Sequence, residues 1–154
     1  MLYYTCPVYR HQIKEMKEMN DMEMARDREL QEGGCGQFLL VKTREEKWEL
    51  STQSIVYVEA MSHGCVIEFC TQSGSTFQVE TIEDISELEK ELGEPDFARC
   101  HRYYLCRIDK IRYISRAWIE MDNGSRIPVS RKVYTNVNQM YIRHLRKKKE
   151  KNRR

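Results

Sequence analysis

At GGCG, residues 33–36, the hydrophobic period of the chain changes from helical to extended, and that switch limits the fold to a separate N-terminal helix followed by a β-rich body. Upstream, HQIKEMKEMNDMEMARDRELQ at 11–31 contains neither Gly nor Pro and places Ile13, Met16, Met19 and Met22 three apart. That spacing predicts a charged amphipathic helix with a narrow apolar stripe, which needs cover from the rest of the chain or from a second copy. The glycines then act as a hinge. Downstream the period is two. FLLVKT (38–43), WELS (48–51), IVYVEA (55–60), CVIEFCT (65–71) and STFQVE (75–80) are β-branched and aromatic runs separated by polar or Gly-containing turns, as in an antiparallel meander.

One helix interrupts the meander. TIEDISELEKELGE is expected to start at Thr81 with Asp84 three residues on, to put Ile85, Leu88 and Leu92 on one face, and to stop at Gly93 and Pro95. Strands then resume at 111–115, AWIEM and SRIPVS, the last two joined through Asp122, Asn123 and Gly124, where Asn-Gly suggests a type I′ hairpin. The chain ends in a basic helix from about Arg131, with Val133, Val137, Met140, Tyr141 and Leu145 facing inward, fraying into RKKKEKNRR. The expected class is mostly β: an antiparallel meander with one intervening helix, a C-terminal helix and the separate N-terminal helix. A chain of 154 residues has room for one such body and a short appendage.

Charge is what points to a partner. The net charge of +2 conceals a split: residues 1–98 carry 9 Lys and Arg against 20 Asp and Glu, whereas 99–154 carry 17 against 4. Clustered cations of this kind suit a polyanion, because neutralising phosphates releases counterions. The basic half opens with RCHRYYLCRIDKI, 99–111. Cys100 and His101 are adjacent and point to opposite faces of an extended segment, and no CxxC occurs, so four ligands cannot converge tetrahedrally on zinc. Nor does a carboxylate orienter or an oxyanion loop accompany Cys100 and His101, which argues against a catalytic thiol and against an enzyme. No metal or other cofactor is expected. The chain has no run of transmembrane length and no secretory leader, so a cytoplasmic location and six reduced, mostly buried cysteines are expected. There is no Gly-rich phosphate loop, no helix-turn-helix pattern and no internal repeat.

Three separated segments occur in a telling order: IVYVEA before a loop, FARCHRYYLCRIDKI after a helix, and NGSRIPVSR near the end. Together they resemble the LytTR-type DNA-binding domain of the AlgR/AgrA/LytR response-regulator family over about residues 37–145. The resemblance implies stacked antiparallel sheets that insert loops, not a recognition helix, into the major groove. It makes Arg102, after the His, the first candidate DNA contact, and Arg131, with Lys132 as a phosphate partner, the second. The loop after IVYVEA supplies the third, His63 with Ser62 beside it, while His101 is expected to pack and orient its loop. Two positions depart from the family pattern. Arg107 stands where Asn is usual, which would add a phosphate contact, and Tyr103 stands where Ser is common.

The N-terminus, MLYYTCPVYRHQIKEM, is similar to the last strand and final helix of a receiver domain, with Cys6-Pro7 where Lys-Pro is usual and no phosphoacceptor Asp upstream. The expected organisation is therefore 1–36 as a receiver remnant, helix and hinge, 37–148 as the DNA-binding domain and 149–154 as a basic tail. The chain is either the C-terminal part of a longer regulator, with a receiver domain or histidine kinase upstream, or a regulator that kept only the helix, for dimerisation. The resulting expectation is a homodimeric transcriptional regulator of the two-component type, without its own phosphoacceptor, bound to double-stranded DNA at promoter repeats. The alternative is a protein-interaction or sensory module whose basic half meets an acidic partner, with RNA binding through Tyr103, Tyr104 and Tyr113 a third reading.

Overall fold

The structure is a computed structural model and describes residues 38–153. The receiver remnant, the Met-rich helix and its dimer role, and the hinge fall outside the described residues. Strands β1 (Phe38–Lys42) and β2 (Lys47–Ser51) form a hairpin, and β3 (Ile55–Ala60), β4 (Cys65–Cys70) and β5 (Thr76–Thr81) continue the meander. Helix α1 (Ile85–Leu92) precedes a second hairpin, β6 (Phe97–His101) and β7 (Tyr104–Arg107). A third group follows, β8 (Ile111–Ile114), β9 (Trp118–Met121) and β10 (Arg126–Pro128), and then helix α2 (Tyr134–Asn152).

These elements stack in three layers around a five-stranded antiparallel sheet of order β5-β4-β3-β7-β6. Cross-strand neighbours Leu105, Val58 and Ile67 define one face of it. On this face Trp48 of β2 meets Phe69 edge-on at 6.1 Å, and Glu89 of α1 reaches Arg99 of β6. The opposite face carries Val56, Cys100 and Cys106, over which Ile119, Met121 and Ile127 of the three-stranded sheet close, together with Val137 and Met140 of α2. Burying a side chain of this size contributes about 1.5–3 kcal/mol, so both outer layers are held by ordinary apolar burial. Buried Glu68 then ties sheet to sheet: it accepts from Gln78 (3.3 Å), Asn123 (3.0 Å) and Ser125 (2.6 Å), the last two on the β9–β10 turn.

Four details differ from the sequence expectations. Thr81 ends β5, because it pairs with Cys65 and its hydroxyl donates to the Lys42 carbonyl; the cap of α1 is Asp84, whose carboxylate accepts from the Glu87 amide at 3.0 Å. The β9–β10 connection is not type I′, since no non-glycine residue among those described has a positive φ. Instead the Gly124 amide donates to the Met121 carbonyl and Gly124 takes φ 89°, the type I turn with a glycine bulge that a three-residue loop adopts. The extended segment around Cys100 and His101 proves to be half of a β6–β7 hairpin that has no sequence signature: both faces of the central sheet are covered, so FARCHRYYLCR shows no alternation. Finally, α2 begins at Tyr134 and stays helical to Asn152, since Lys, Arg and Glu favour the helix and the cations of its last turn suit the dipole. Leu145, expected inward, is 38% exposed because Val137 and Met140 are the buried anchors of the helix.

Candidate nucleic-acid interface

Backbone hydrogen bonds bring the predicted loops to one rim. The turn between β6 and β7 carries Arg102 and Tyr103. The Ala60 amide, at the end of β3, donates to the Tyr103 carbonyl at 2.7 Å, so the 61–64 loop with Ser62 and His63 begins beside that turn. On the other side, the Ser130 amide donates to the Cys100 carbonyl at 2.9 Å, which puts Arg131 and Lys132 next to the end of β6. These two cations stand in the exposed turn before α2 rather than within the helix. Ser62, His63, Arg102, Arg131 and Lys132 are all exposed.

The Arg102 turn is braced from below. Arg99 Nε donates to the His101 carbonyl at 3.0 Å, its Nη2 donates to the Arg102 carbonyl, and its Nη1 is paired with Glu89 of α1 at 2.7 Å. The Tyr103 amide donates to His101 Nδ1 at 3.2 Å, which leaves the proton of a neutral imidazole on Nε2. His101 therefore orients the turn, as expected, with its ring 5.7 Å from Tyr103 and 5.8 Å from Tyr104. Tyr104 in turn donates to Glu59 at 2.9 Å; burial first and that bond second push its phenol up to about 12. The Arg102 guanidinium lies 4.7 Å from the Tyr103 ring centroid, a cation–π contact that limits its directions without occupying its donors.

Three cations of the basic half are already paired. Arg99 is held by Glu89, Arg107 by Asp109 at 2.6 Å and Arg126 by Glu120 at 3.9 Å. Among the described residues no carboxylate pairs with Arg102, Arg131 or Lys132. Arg107 corrects the sequence reading. It is 6% exposed, donates through Nη1 to the Thr52 carbonyl and through Nε and Nη2 to Asp109, and lies 5.3 Å from the Phe97 ring, so its guanidinium is committed to the core and does not face phosphate. Sequence reasoning missed the brace by Arg99, since nothing in the residue pattern separates a paired arginine from an unpaired one.

Two of the four described cysteines are held as thiols. A hydrogen bond with Cys100 and then burial push the Cys106 thiol up, and burial pushes Cys65 up to about 11, so both stay protonated at neutral pH. Among the described residues no group of three or more His, Cys, Asp or Glu could hold a metal ion, and no helix is long and apolar enough to cross a membrane.

Gly64 closes the His63 loop at φ 83°, and a Cβ there would collide with the Thr81 carbonyl oxygen. Gly64→Ala is expected to cost about 2 kcal/mol or more and to displace the loop. Gly74, at φ 88°, has nothing within 4 Å of such a Cβ, so Gly74→Ala is expected to cost only about 1 kcal/mol. Urea midpoints of the two variants check the difference.

The structure thus defines a class by its fold: a layered antiparallel β body, with exposed guanidinium groups on the turns of one rim. The family follows from the sequence as a whole. Residues 45–147 match the LytTr DNA-binding domain, and the chain belongs to that family. The fold is similar to the solved "LytTr DNA-binding domain of putative methyl-accepting/DNA response regulator from Bacillus cereus", with a TM-score of 0.54 and 22% identity over 67% of this chain and 94% of that one. No curated protein matches.

Proposed function

We propose that the chain binds double-stranded DNA with sequence specificity, as a transcriptional regulator of the two-component type. Arg102 and Arg131 reach base edges in the major groove, Lys132 contacts phosphate, and the Ser62–His63 loop takes a third position. The observation that carries this reading is the convergence of three loops on one rim, two of which carry exposed arginines with no carboxylate partner among the described residues. Such an arrangement gives both terms of DNA recognition: counterion release for affinity and guanidinium forks for base reading. Membership in the family supports DNA as the ligand. Within this reading the protein works in the cytoplasm, two copies occupy paired promoter repeats, and a receiver domain or histidine kinase acts upstream; the chain needs no phosphoacceptor of its own.

Selection from a randomised duplex library, followed by binding of the enriched duplex over a range of salt, tests the proposal. A recurrent motif is expected, bound at about 10⁻⁸ M or tighter near physiological salt and at least about a thousandfold more tightly than scrambled duplex, with affinity falling as salt rises. Absence of any enriched motif, with no retention of duplex even at low salt, would leave the basic half to an acidic protein partner instead.

A further inference from the structure

Between the second and third family signatures lies a turn that no motif covers. Residues 115–117 connect β8 to β9, and Ser115 builds this turn: its amide donates to the Trp118 carbonyl at 2.9 Å, and its hydroxyl donates to the same oxygen at 3.0 Å and accepts from the Trp118 amide at 3.1 Å. Trp118 is fixed by its own neighbours, Tyr113 at 5.0 Å between ring centroids and the Arg126 guanidinium at 4.4 Å. Arg116, in the middle of the turn, takes no part. It is exposed, and no hydrogen bond, ion pair or ring contact holds its side chain among the described residues.

The turn nevertheless belongs to the rim. The Val129 amide donates to the Ala117 carbonyl at 3.0 Å, and one residue later the Ser130 amide donates to the Cys100 carbonyl. Arg116 and Arg131 thus flank one seam, and Arg102 lies two residues beyond its other side.

We propose that Arg116 is a fourth DNA contact, made to a backbone phosphate and not to a base, which extends the footprint into the three-stranded layer; this rests on the DNA-binding reading above. The chemistry favours phosphate for a stated reason. Arg102 has the Tyr103 ring and a braced turn to aim its fork, as base reading requires. Arg116 has no aiming partner, and an unaimed cation on a rigid turn serves a diffuse anionic target better than a directional one.

The test compares the full chain with Arg116→Ala and Arg116→Lys on the duplex selected by the wild type and on a scrambled duplex. Arg116→Ala is expected to reduce the magnitude of the salt slope by about 0.9 and to weaken both duplexes alike, roughly three- to tenfold, leaving their ratio unchanged. Arg116→Lys restores the slope. Circular dichroism and thermal midpoint of both variants match the wild type, because Arg116 supports nothing in the fold. A wild-type slope for Arg116→Ala overturns the contact, and a changed ratio between selected and scrambled duplex overturns its assignment to phosphate. Failure of the wild type itself to bind any duplex would strike the functional reading instead, so the two failures are distinguishable.

Discussion

Arg102→Ala and Arg131→Ala will each lose about 2 kcal/mol of binding to the selected duplex, roughly thirtyfold, and flatten the preference at one base-pair position apiece. The magnitude follows from geometry. A guanidinium that bonds two acceptors on guanine discriminates against the wrong base by about 1–3 kcal/mol, whereas a cation near phosphate contributes affinity without discrimination. Both side chains are exposed, so the folded state should change by no more than about 0.5 kcal/mol. Arg102→Lys separates the two contributions: it keeps the charge and hence the salt slope, but loses the planar fork and with it the base preference. Binding titrations on the selected duplex and on its single-base variants give both quantities. If Arg102→Ala and Arg131→Ala retained wild-type affinity and preference, base reading would have to be reassigned to the His63 loop.

The parts of this chain legible from its residues are those in which local pattern and tertiary environment agree. Strands β1 to β5 alternate or carry β-branched runs, and α1 shows its apolar face at Ile85, Leu88 and Leu92. The candidate rim was legible for another reason: Arg102, Arg131 and the His63 loop lie within or directly after the three family segments. What stayed hidden depends on contacts between residues far apart in sequence. Arg107 looked like one more cation in a basic run, and only the Thr52 carbonyl, 55 residues away, shows that it points inward. The β6–β7 hairpin lacked alternation because layers from distant segments cover both of its faces. Arg116 carried no signal, since its place on the rim is set by hydrogen bonds from Val129 and Ser130 that no spacing rule reveals.

Arg107 provides the second large effect, and it concerns stability. Arg107→Ala removes a guanidinium that is buried against Phe97, bonded to the Thr52 carbonyl and paired with Asp109. It leaves a void beside Phe97, which is 3% exposed. Lost packing and lost charge-assisted bonds together should cost about 3 kcal/mol, and the thermal midpoint should fall by on the order of 10 °C. Asp109 is 42% exposed, so water takes over its solvation and it adds little to that cost. Arg107→Met keeps most of the side-chain volume and loses only the bonds to the Thr52 carbonyl and Asp109, so it is expected to cost less, about 1–2 kcal/mol. Measured below its melting transition, each variant should bind the selected duplex with the wild-type salt slope, because the guanidinium never met phosphate. A slope reduced by about one unit with stability unchanged would place Arg107 on the DNA after all. The usual Asn of the family at this position would then differ from Arg107 in ligand contact and not only in packing.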